Sequence, residues 1–154
     1  MTDYTIEHKE AFTLTGYGFG IEGDFAGAAK LKQDFLATIT NDGRLEALQK
    51  ASTDGFDWSV NDVYQGKPHT YFAVATAEKL QSTRVIDFPA GDYVVIPGVA
   101  DKSSFFDTLA GIAFGQVLPT ITNYAYVGGP NATWRKENAD GTCEGEIWIP
   151  VVTK

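Results

Sequence analysis

Glu146 is a carboxylate set in an otherwise apolar stretch near the end of the chain, Cys143-Glu-Gly-Glu-Ile-Trp-Ile-Pro-Val-Val. The alternation predicts a β-strand that directs Glu146 and Trp148 to one face and Ile147 and Ile149 to the other. If the isoleucines pack under helices, Trp148 and Glu146 lie on the opposite face of the sheet. An indole next to a carboxylate there could bind a flat or cationic organic molecule. The alternative is an edge strand on which Glu146 contacts only water.

Trp58 stands among three aspartates in the least regular stretch, Ser52 to Pro68, which predicts a long loop. Long aromatic loops are often functional, so Trp58 is either a lid over a ligand pocket or a ring tucked into the core. The aspartates lack the spacing of a calcium loop. Two histidines, His8 and His69, and one cysteine, Cys143, are too few for a metal centre. We therefore expect neither a metal nor a cofactor.

The glycines that end the first extended segment, Tyr4 to Gly20, match a dinucleotide fingerprint in Gly18-Phe-Gly-Ile-Glu-Gly. A Rossmann unit returns to a parallel strand within about 30 residues, whereas the next convincing strand here begins near Tyr71. The fingerprint is therefore rejected. Because glycines have no side chain, they instead allow a ligand or a neighbouring aromatic ring to approach the strand backbone closely.

Hydrophobic spacing predicts a strand, a helix and further strands in each half of the chain. The first half has helices over Phe25–Ile39 and Leu45–Ala51 and a strand over Thr70–Ala77. The second half has a hairpin of Thr83–Phe88 and Asp92–Pro97, a helix that ends at Pro119, and the closing strand. Two similar halves favour an α+β fold in which antiparallel sheets carry helices on one face.

Length and charge narrow the function classes. A chain of 154 residues, 44% of them hydrophobic, is expected to form one domain, residues 1–154. The net charge of −8 argues against a nucleic-acid surface and is compatible with a cationic ligand. No apolar run approaches the roughly 20 residues of a membrane helix, and the N-terminus lacks a leader pattern. The expected location is the cytoplasm, with no membrane partner.

Four short motifs carry a family resemblance. They are Phe88-Pro-Ala-Gly-Asp-Tyr-Val-Val-Ile, Phe114-Gly-Gln-Val-Leu-Pro, Gly128-Gly-Pro and Glu146-Ile-Trp-Ile-Pro. In order and spacing they resemble the effector-binding domains of AraC-type and multidrug-responsive regulators, a pattern shared by stand-alone DNA gyrase inhibitor-like proteins. The resemblance implies two βαββ repeats related by a pseudo-twofold axis, with a pocket at their junction for bulky, often cationic, aromatic molecules. It also implies that Glu146 is the pocket carboxylate. Val117 replaces an aromatic residue that relatives often have.

The resemblance leads to a set of candidate ligand-binding residues. They are Glu146, Trp148, Tyr17, Phe19, Trp58, Tyr71, Tyr93, Phe114 and Tyr126. The leading hypothesis is a stand-alone protein that senses or sequesters a drug-like aromatic cation. Because no helix-turn-helix module is expected in this length, direct contact with nucleic acid is not expected.

Two other functions stay open at this point. One is a hydrolase of electrophilic, cyclopropane-type natural products, in which Glu146 activates water and Tyr71 or Tyr93 supplies a second polar group. The other is binding to a protein partner, as in gyrase inhibition.

Overall fold

Strands and helices follow one another in the same order in both halves of the chain. The structure is a computed structural model that describes residues 3–23 and 28–154. The strands are β1 Thr5–Lys9, β2 Phe12–Gly20, β3 Asp57–Tyr64, β4 Lys67–Val74, β5 Arg84–Phe88, β6 Gly91–Asp101, β7 Tyr124–Tyr126, β8 Asn131–Glu137 and β9 Thr142–Thr153. The helices are α1 Ala29–Asn41, α2 Arg44–Ala51 and α3 Phe105–Ile112. Among the described residues, no helix is long and apolar enough to span a membrane.

The contacts of the chain define two compact units. The repeat-1 unit is Thr13–Asp87, and the repeat-2 unit is Met1–Phe12 together with Phe88–Lys154. Strands of the repeat-1 unit follow the order β3-β4-β2-β5, and those of the repeat-2 unit follow β1-β6-β9-β8, with β7 also paired to β9. In each unit the third strand of a βαββ repeat lies between the other two. The predicted α+β class with antiparallel sheets and helices is confirmed.

Helix α3 covers one face of the repeat-2 sheet. Its side chains Phe105 and Leu109 are buried in one cluster with Ile147 and Ile149 of β9. After α3 the backbone widens into a π-helical segment, Ala113–Val117, and then tightens into a 3-10 turn that contains Pro119. The predicted helix end at this proline is thus reached through two changes of helical pitch.

Two elements differ from those predicted. The stretch predicted as a long loop is a β3–β4 hairpin, and its turn uses Gln65 and Gly66, both with positive φ (54° and 77°). Because both central residues adopt positive φ, the turn matches the twist of a tight hairpin. Strands β5 and β6 do not form the predicted hairpin: β5 lies beside β2, whereas β6 pairs with β1 and β9.

Helix α1 begins at Ala29. The start of the predicted helix over Phe25–Ile39 lies partly in residues 24–27, which are outside the described residues. The apolar residues at helical spacing were expected to form one buried face. Of these, Ala28 and Ile39 are buried, but Leu31 is exposed.

Candidate functional site

Glu146 lies between two tryptophans on one face of the repeat-2 sheet. The indole Nε1–H of Trp148, two residues along β9, donates to Glu146 Oε1 at 3.0 Å. Trp134 of β8 is directly opposite Glu146 in the strand register, and its Nε1–H donates to the same oxygen at 3.2 Å. We call these three residues the indole–carboxylate seat. All three are half-buried.

The strand pattern explains why the seat faces away from the helix. Ile147 and Ile149 are fully buried against α3. Because side chains alternate along a strand, Glu146 and Trp148 must point to the other face. The predicted division of these four residues is confirmed, and the alternative in which Glu146 meets only water is wrong, because two indoles bind it.

One carboxylate oxygen of the seat is left open. Both indole donors reach Oε1, and no described residue donates a hydrogen bond to Oε2. The indole N–H groups are neutral, so they orient the carboxylate without cancelling its charge. An oriented anion with an open oxygen, flanked by ring systems, can bind a cation or a hydrogen-bond donor.

Trp148 has two further neighbours from the N-terminal segment. The Lys9 ammonium lies 4.1 Å from the centre of the Trp148 ring, within cation–π range. Phe12 meets the same ring edge-on, with 5.6 Å between centroids, and stacks on Phe88 at 4.5 Å. The short N-terminal segment thus builds part of the seat's surroundings.

Tyr93 belongs to the seat's face of the sheet, but it is fully buried. Its hydroxyl donates to the carbonyl oxygen of Pro89 at 2.7 Å. Burial raises the pKa of this phenol to about 12. Tyr93 therefore supports the sheet under the seat and offers neither a free hydroxyl nor an accessible ring.

The predicted binding residues Phe114 and Tyr126 form a separate pair. Their rings meet edge-on at 5.6 Å, both are more than a third exposed, and the Tyr126 hydroxyl donates to the Gly129 carbonyl. Tyr126 is opposite Val151 in the register. Directly opposed residues share a face, so Tyr126 lies on the helix side of the sheet. The structure places this pair on the face opposite to Glu146.

Tyr17 and Phe19 of the repeat-1 unit also face helices. Tyr17 is buried with Leu48 of α2, and its hydroxyl donates to the Gln81 carbonyl at 3.1 Å. Phe19 packs against Phe35 of α1 at 4.9 Å. Tyr17 is part of the core and Phe19 is half-buried, and their role in ligand binding stays a prediction.

Trp58 is a strand residue and does not form a lid. It lies in β3 with 4% of its surface exposed, and its Nε1–H donates to Asp54 Oδ2 at 3.1 Å. Of the two predictions made for this ring, the structure favours the one in which it packs into the core.

Tyr71 lines an open pocket of the repeat-1 unit. The pocket has a volume of about 480 Å³, and its lining includes Gly16, Gly18, His69 and Arg84. A Cβ atom added at Gly18 would overlap the Tyr71 ring. The glycines therefore admit an aromatic ring of the protein itself, one of the two purposes predicted for them.

Arg84 is a charged group of this pocket, and both terminal nitrogens of its guanidinium have partners within the unit. It donates to the Tyr71 hydroxyl at 2.6 Å and to Asp62 Oδ2 at 3.0 Å, and it lies 3.9 Å from the centre of the Tyr64 ring. Burial alone would lower the pKa of Arg84, but the hydrogen bonds and charges of Tyr71 and Asp62 raise it. Asp62 supplies the countercharge to the guanidinium.

Comparison with known families shows that residues 5–151 match the integron-associated effector binding proteins. The chain belongs to this family. The match spans both repeats, and it confirms the resemblance to effector-binding domains noted in the sequence. No curated protein sequence gives a significant match to this effector-binding protein.

Solved structures share the fold of this effector-binding chain. SAV2435 bound to tetraphenylphosphonium has a TM-score of 0.80 at 16% identity, with 97% of this chain and 94% of that chain covered. An integron cassette protein from Vibrio cholerae has a TM-score of 0.62 at 12% identity, with 95% of each chain covered. The EcmrR C-terminal domain has a TM-score of 0.61 at 12% identity, with 100% and 99% covered. The longer EcmrR chain in a DNA complex is covered over 57% of its length.

Sequence reasoning missed three residues of these sites: Trp134, Lys9 and Arg84. Trp134 could have been found, because pairing the last two strands about the turn at Gly141 sets it opposite Glu146. Lys9 and Arg84 have no local signal, since each reaches its aromatic partner through contacts between segments distant in sequence.

Proposed function

We propose that this effector-binding protein binds a bulky aromatic monocation at the indole–carboxylate seat. The observation that carries the proposal is the open oxygen of Glu146, held in place by two neutral indole donors. The family membership and the tetraphenylphosphonium complex of SAV2435 support small-molecule binding in general. The cationic ligand class is our inference from the chemistry of the seat.

The seat combines the two interactions that a delocalised cation needs. The half-buried carboxylate supplies an opposite charge, and this charge acts more strongly when partly removed from water. The indole faces supply apolar area and cation–π attraction worth about 0.5–2 kcal/mol. A large cation whose charge is spread over aromatic rings loses little hydration on entry, so it gains most from such a surface.

The test uses two ligands of the same shape and opposite charge, tetraphenylphosphonium and tetraphenylborate. We expect calorimetry to give a micromolar Kd for the phosphonium, about −8 kcal/mol, and tryptophan emission to change on binding. Glu146→Gln keeps an acceptor for both indoles but removes the charge. It should weaken phosphonium binding by about 1–3 kcal/mol and should not weaken borate binding.

Equal losses for both ligands in Glu146→Gln would contradict the proposal, because they would show that Glu146 only maintains the shape of the seat. A matched control is Glu144→Gln, two residues earlier on β9, where the carboxylate is 3.8 Å from Lys136. This change removes the same charge from the same strand and should leave the preference for the phosphonium intact.

Sensing or sequestration is the use that we propose for such binding. The hydrolase alternative has less support, because both tyrosines predicted to supply its second polar group have partners within the protein. The Tyr71 hydroxyl accepts a hydrogen bond from Arg84, and the Tyr93 hydroxyl is bonded to the backbone and has a pKa raised to about 12 by burial. A mass shift by one water after incubation with a cyclopropane-containing electrophile, abolished by Glu146→Gln, would restore it. Action through a protein partner or a separate DNA-binding protein remains compatible with ligand binding.

A further inference from the structure

Lys9 places its positive charge on the ring of Trp148, one of the two indoles of the seat. Its ammonium lies 4.1 Å from the Trp148 ring centre, and its side chain is 21% exposed, so most of it is withdrawn from water. Lysine side chains usually keep the charged head in solvent. In Lys9 the ammonium instead lies against one of the two indoles that bind Glu146.

The strand register brings Lys9 to the seat together with an acidic partner. In the pairing of β1 with β6, Glu7 is opposite Tyr93, and Thr5 is opposite Val95, which in turn is opposite Trp148 of β9. Side chains alternate along β1, so Thr5, Glu7 and Lys9 share the face of Trp148. The N-terminal strand thus lays a row of three polar groups beside the seat.

Besides contacting the Trp148 ring, the Lys9 ammonium is hydrogen-bonded to Glu7 of this row. Glu7 Oε1 accepts from Lys9 Nζ at 3.1 Å, and Glu7 Oε2 accepts from the Thr5 hydroxyl at 2.6 Å. The hydrogen bond from Thr5 and then that from Lys9 lower the pKa of Glu7. Glu7 is 44% exposed, so it can follow the ammonium toward solvent without losing the ion pair.

We propose that Lys9 is a tethered counter-cation that covers the Trp148 face in the free protein, and that a cationic ligand binds by displacing it. This inference rests on the proposed function. Two cations cannot share one ring face, because they repel at such distances. The displaced ammonium stays paired with Glu7, so the exchange costs the protein one cation–π contact and keeps one ion pair.

The exchange selects among cations. A small hydrated ammonium replaces Lys9 by an equivalent contact and gains nothing from the exchange. A bulky delocalised cation adds apolar area that Lys9 does not provide. Competition with Lys9 therefore makes the seat bind lipophilic cations more tightly than small hydrated amines.

The variant Lys9→Met keeps the length of the side chain and removes the charge. We expect tetraphenylphosphonium to bind it about three- to tenfold more tightly than the unmodified protein, the gain expected from removing a competing cation–π contact. A matched control is Lys102→Met in the same unit, where the lysine is 52% exposed and pairs with Glu137 at 3.5 Å. It removes the same net charge and should change affinity less than twofold.

A second measurement follows Lys9 itself. In protein labelled with ¹³C-lysine, the ε-methylene signal that disappears in Lys9→Met should be shifted upfield by the Trp148 ring. Saturating tetraphenylphosphonium should move it to the position of an exposed lysine.

The outcomes separate this inference from the proposed function. If the phosphonium binds while the Lys9 signal stays upfield, or if Lys9→Met and Lys102→Met have equal affinity, the counter-cation role is overturned and ligand binding stands. If the phosphonium binds none of the three proteins, the proposed function fails and this inference fails with it.

Discussion

Each unit places a charged group among aromatic rings, but the two groups are bonded in opposite ways. In the repeat-1 unit, Arg84 is bonded to Asp62 and Tyr71 and lies over the Tyr64 ring. In the repeat-2 unit, Glu146 is bonded only to neutral indole N–H groups, and these reach a single oxygen. The guanidinium forms a direct ion pair with Asp62, whereas no described residue forms an ion pair with the Glu146 carboxylate.

The difference shows that a charge in a pocket is not by itself a binding site. Asp62 neutralises Arg84 at 3.0 Å, and a ligand ion would have to compete with a partner already in place. The donors to Glu146 fix its orientation and leave its charge for a ligand. The repeat-1 pocket has a volume of about 480 Å³, but its charge is already paired, whereas the charge of the indole–carboxylate seat is not.

The largest effect is expected from Gly18→Ala, which tests how closely the Tyr71 ring packs on the β2 backbone at the wall of the repeat-1 pocket. An added Cβ would overlap both the Tyr71 ring and the Thr70 carbonyl oxygen. Because the carbonyl cannot move without breaking the β2–β4 pairing, we expect a loss of more than about 3 kcal/mol in unfolding free energy. Urea denaturation measures it.

Gly111→Ala is the matched control for that change. Gly111 lies in α3, and no atom is within 4 Å of its added Cβ. This substitution should stabilise the protein by about 0.5–1 kcal/mol, since alanine favours a helix more than glycine does. Wild-type stability in Gly18→Ala would mean that Tyr71 can move away from the β2 backbone, so that the repeat-1 unit is as adaptable to a ligand as the repeat-2 unit.

The next effect concerns Arg84→Met, which leaves the Asp62 carboxylate with 10% of its side chain exposed and without its cation. Removing one partner of such a pair should cost about 2–4 kcal/mol of unfolding free energy, slightly reduced because Arg84 is 29% exposed. Tetraphenylphosphonium affinity should change less than about twofold. Glu146→Gln should show the reverse, a loss of affinity with little loss of stability.

A double-mutant cycle sharpens this test. If Arg84→Met lowers the unfolding free energy because it leaves the Asp62 carboxylate buried without its cation, then adding Asp62→Asn should recover part of the lost stability. Loss of phosphonium binding in Arg84→Met, measured under conditions where the protein is folded, would instead assign the repeat-1 pocket to the ligand site.

Much of the fold could be predicted because periodicity is a local signal. The alternation around Glu146 fixed the two faces of β9, and the apolar spacing of Phe105 and Leu109 fixed the buried side of α3. The β3–β4 hairpin was missed because aspartates interrupt its alternation, and Gln-Gly is a weaker turn signal than Asn-Gly. The β5–β6 hairpin was wrong because a Pro-Ala-Gly turn does not determine which strand becomes the neighbour.

The site was only partly predictable. Glu146 and Trp148 are two residues apart, so strand geometry alone brings them together. The strand face of Tyr17 and Phe19 could not be predicted, because an aromatic residue gives no indication of which face carries the helices. Lys9 reaches Trp148 only through the pairing of β1 with β6 and of β6 with β9. Such relayed contacts are properties of the assembled sheet and have no signature in one segment.

The smallest change in unfolding free energy is expected from Tyr93→Phe, which tests whether Tyr93 has a purely structural role, as its contacts imply. Tyr93→Phe removes the hydrogen bond to the Pro89 carbonyl. Because Pro89 is exposed, water can replace the lost donor, so the cost at neutral pH should be about 0.5–1 kcal/mol, and phosphonium affinity should not change.

The pH dependence of Tyr93→Phe gives the sharper test. Burial raises the pKa of Tyr93 from 10 to about 12 in the folded protein. Below pH 10 the phenol is protonated in both states, and its contribution to stability is complete. As the pH rises from 10 to 12, the unfolded chain loses this proton first, so the unfolding free energy must fall. Tyr93→Phe should lose less stability than the unmodified protein over this interval, by at most about 2–3 kcal/mol. The comparison is made between the two proteins, so that every contribution common to both cancels. Parallel stability curves above pH 10 would show that the Tyr93 hydroxyl is accessible to water, and the hydrolase alternative would then regain its second polar group.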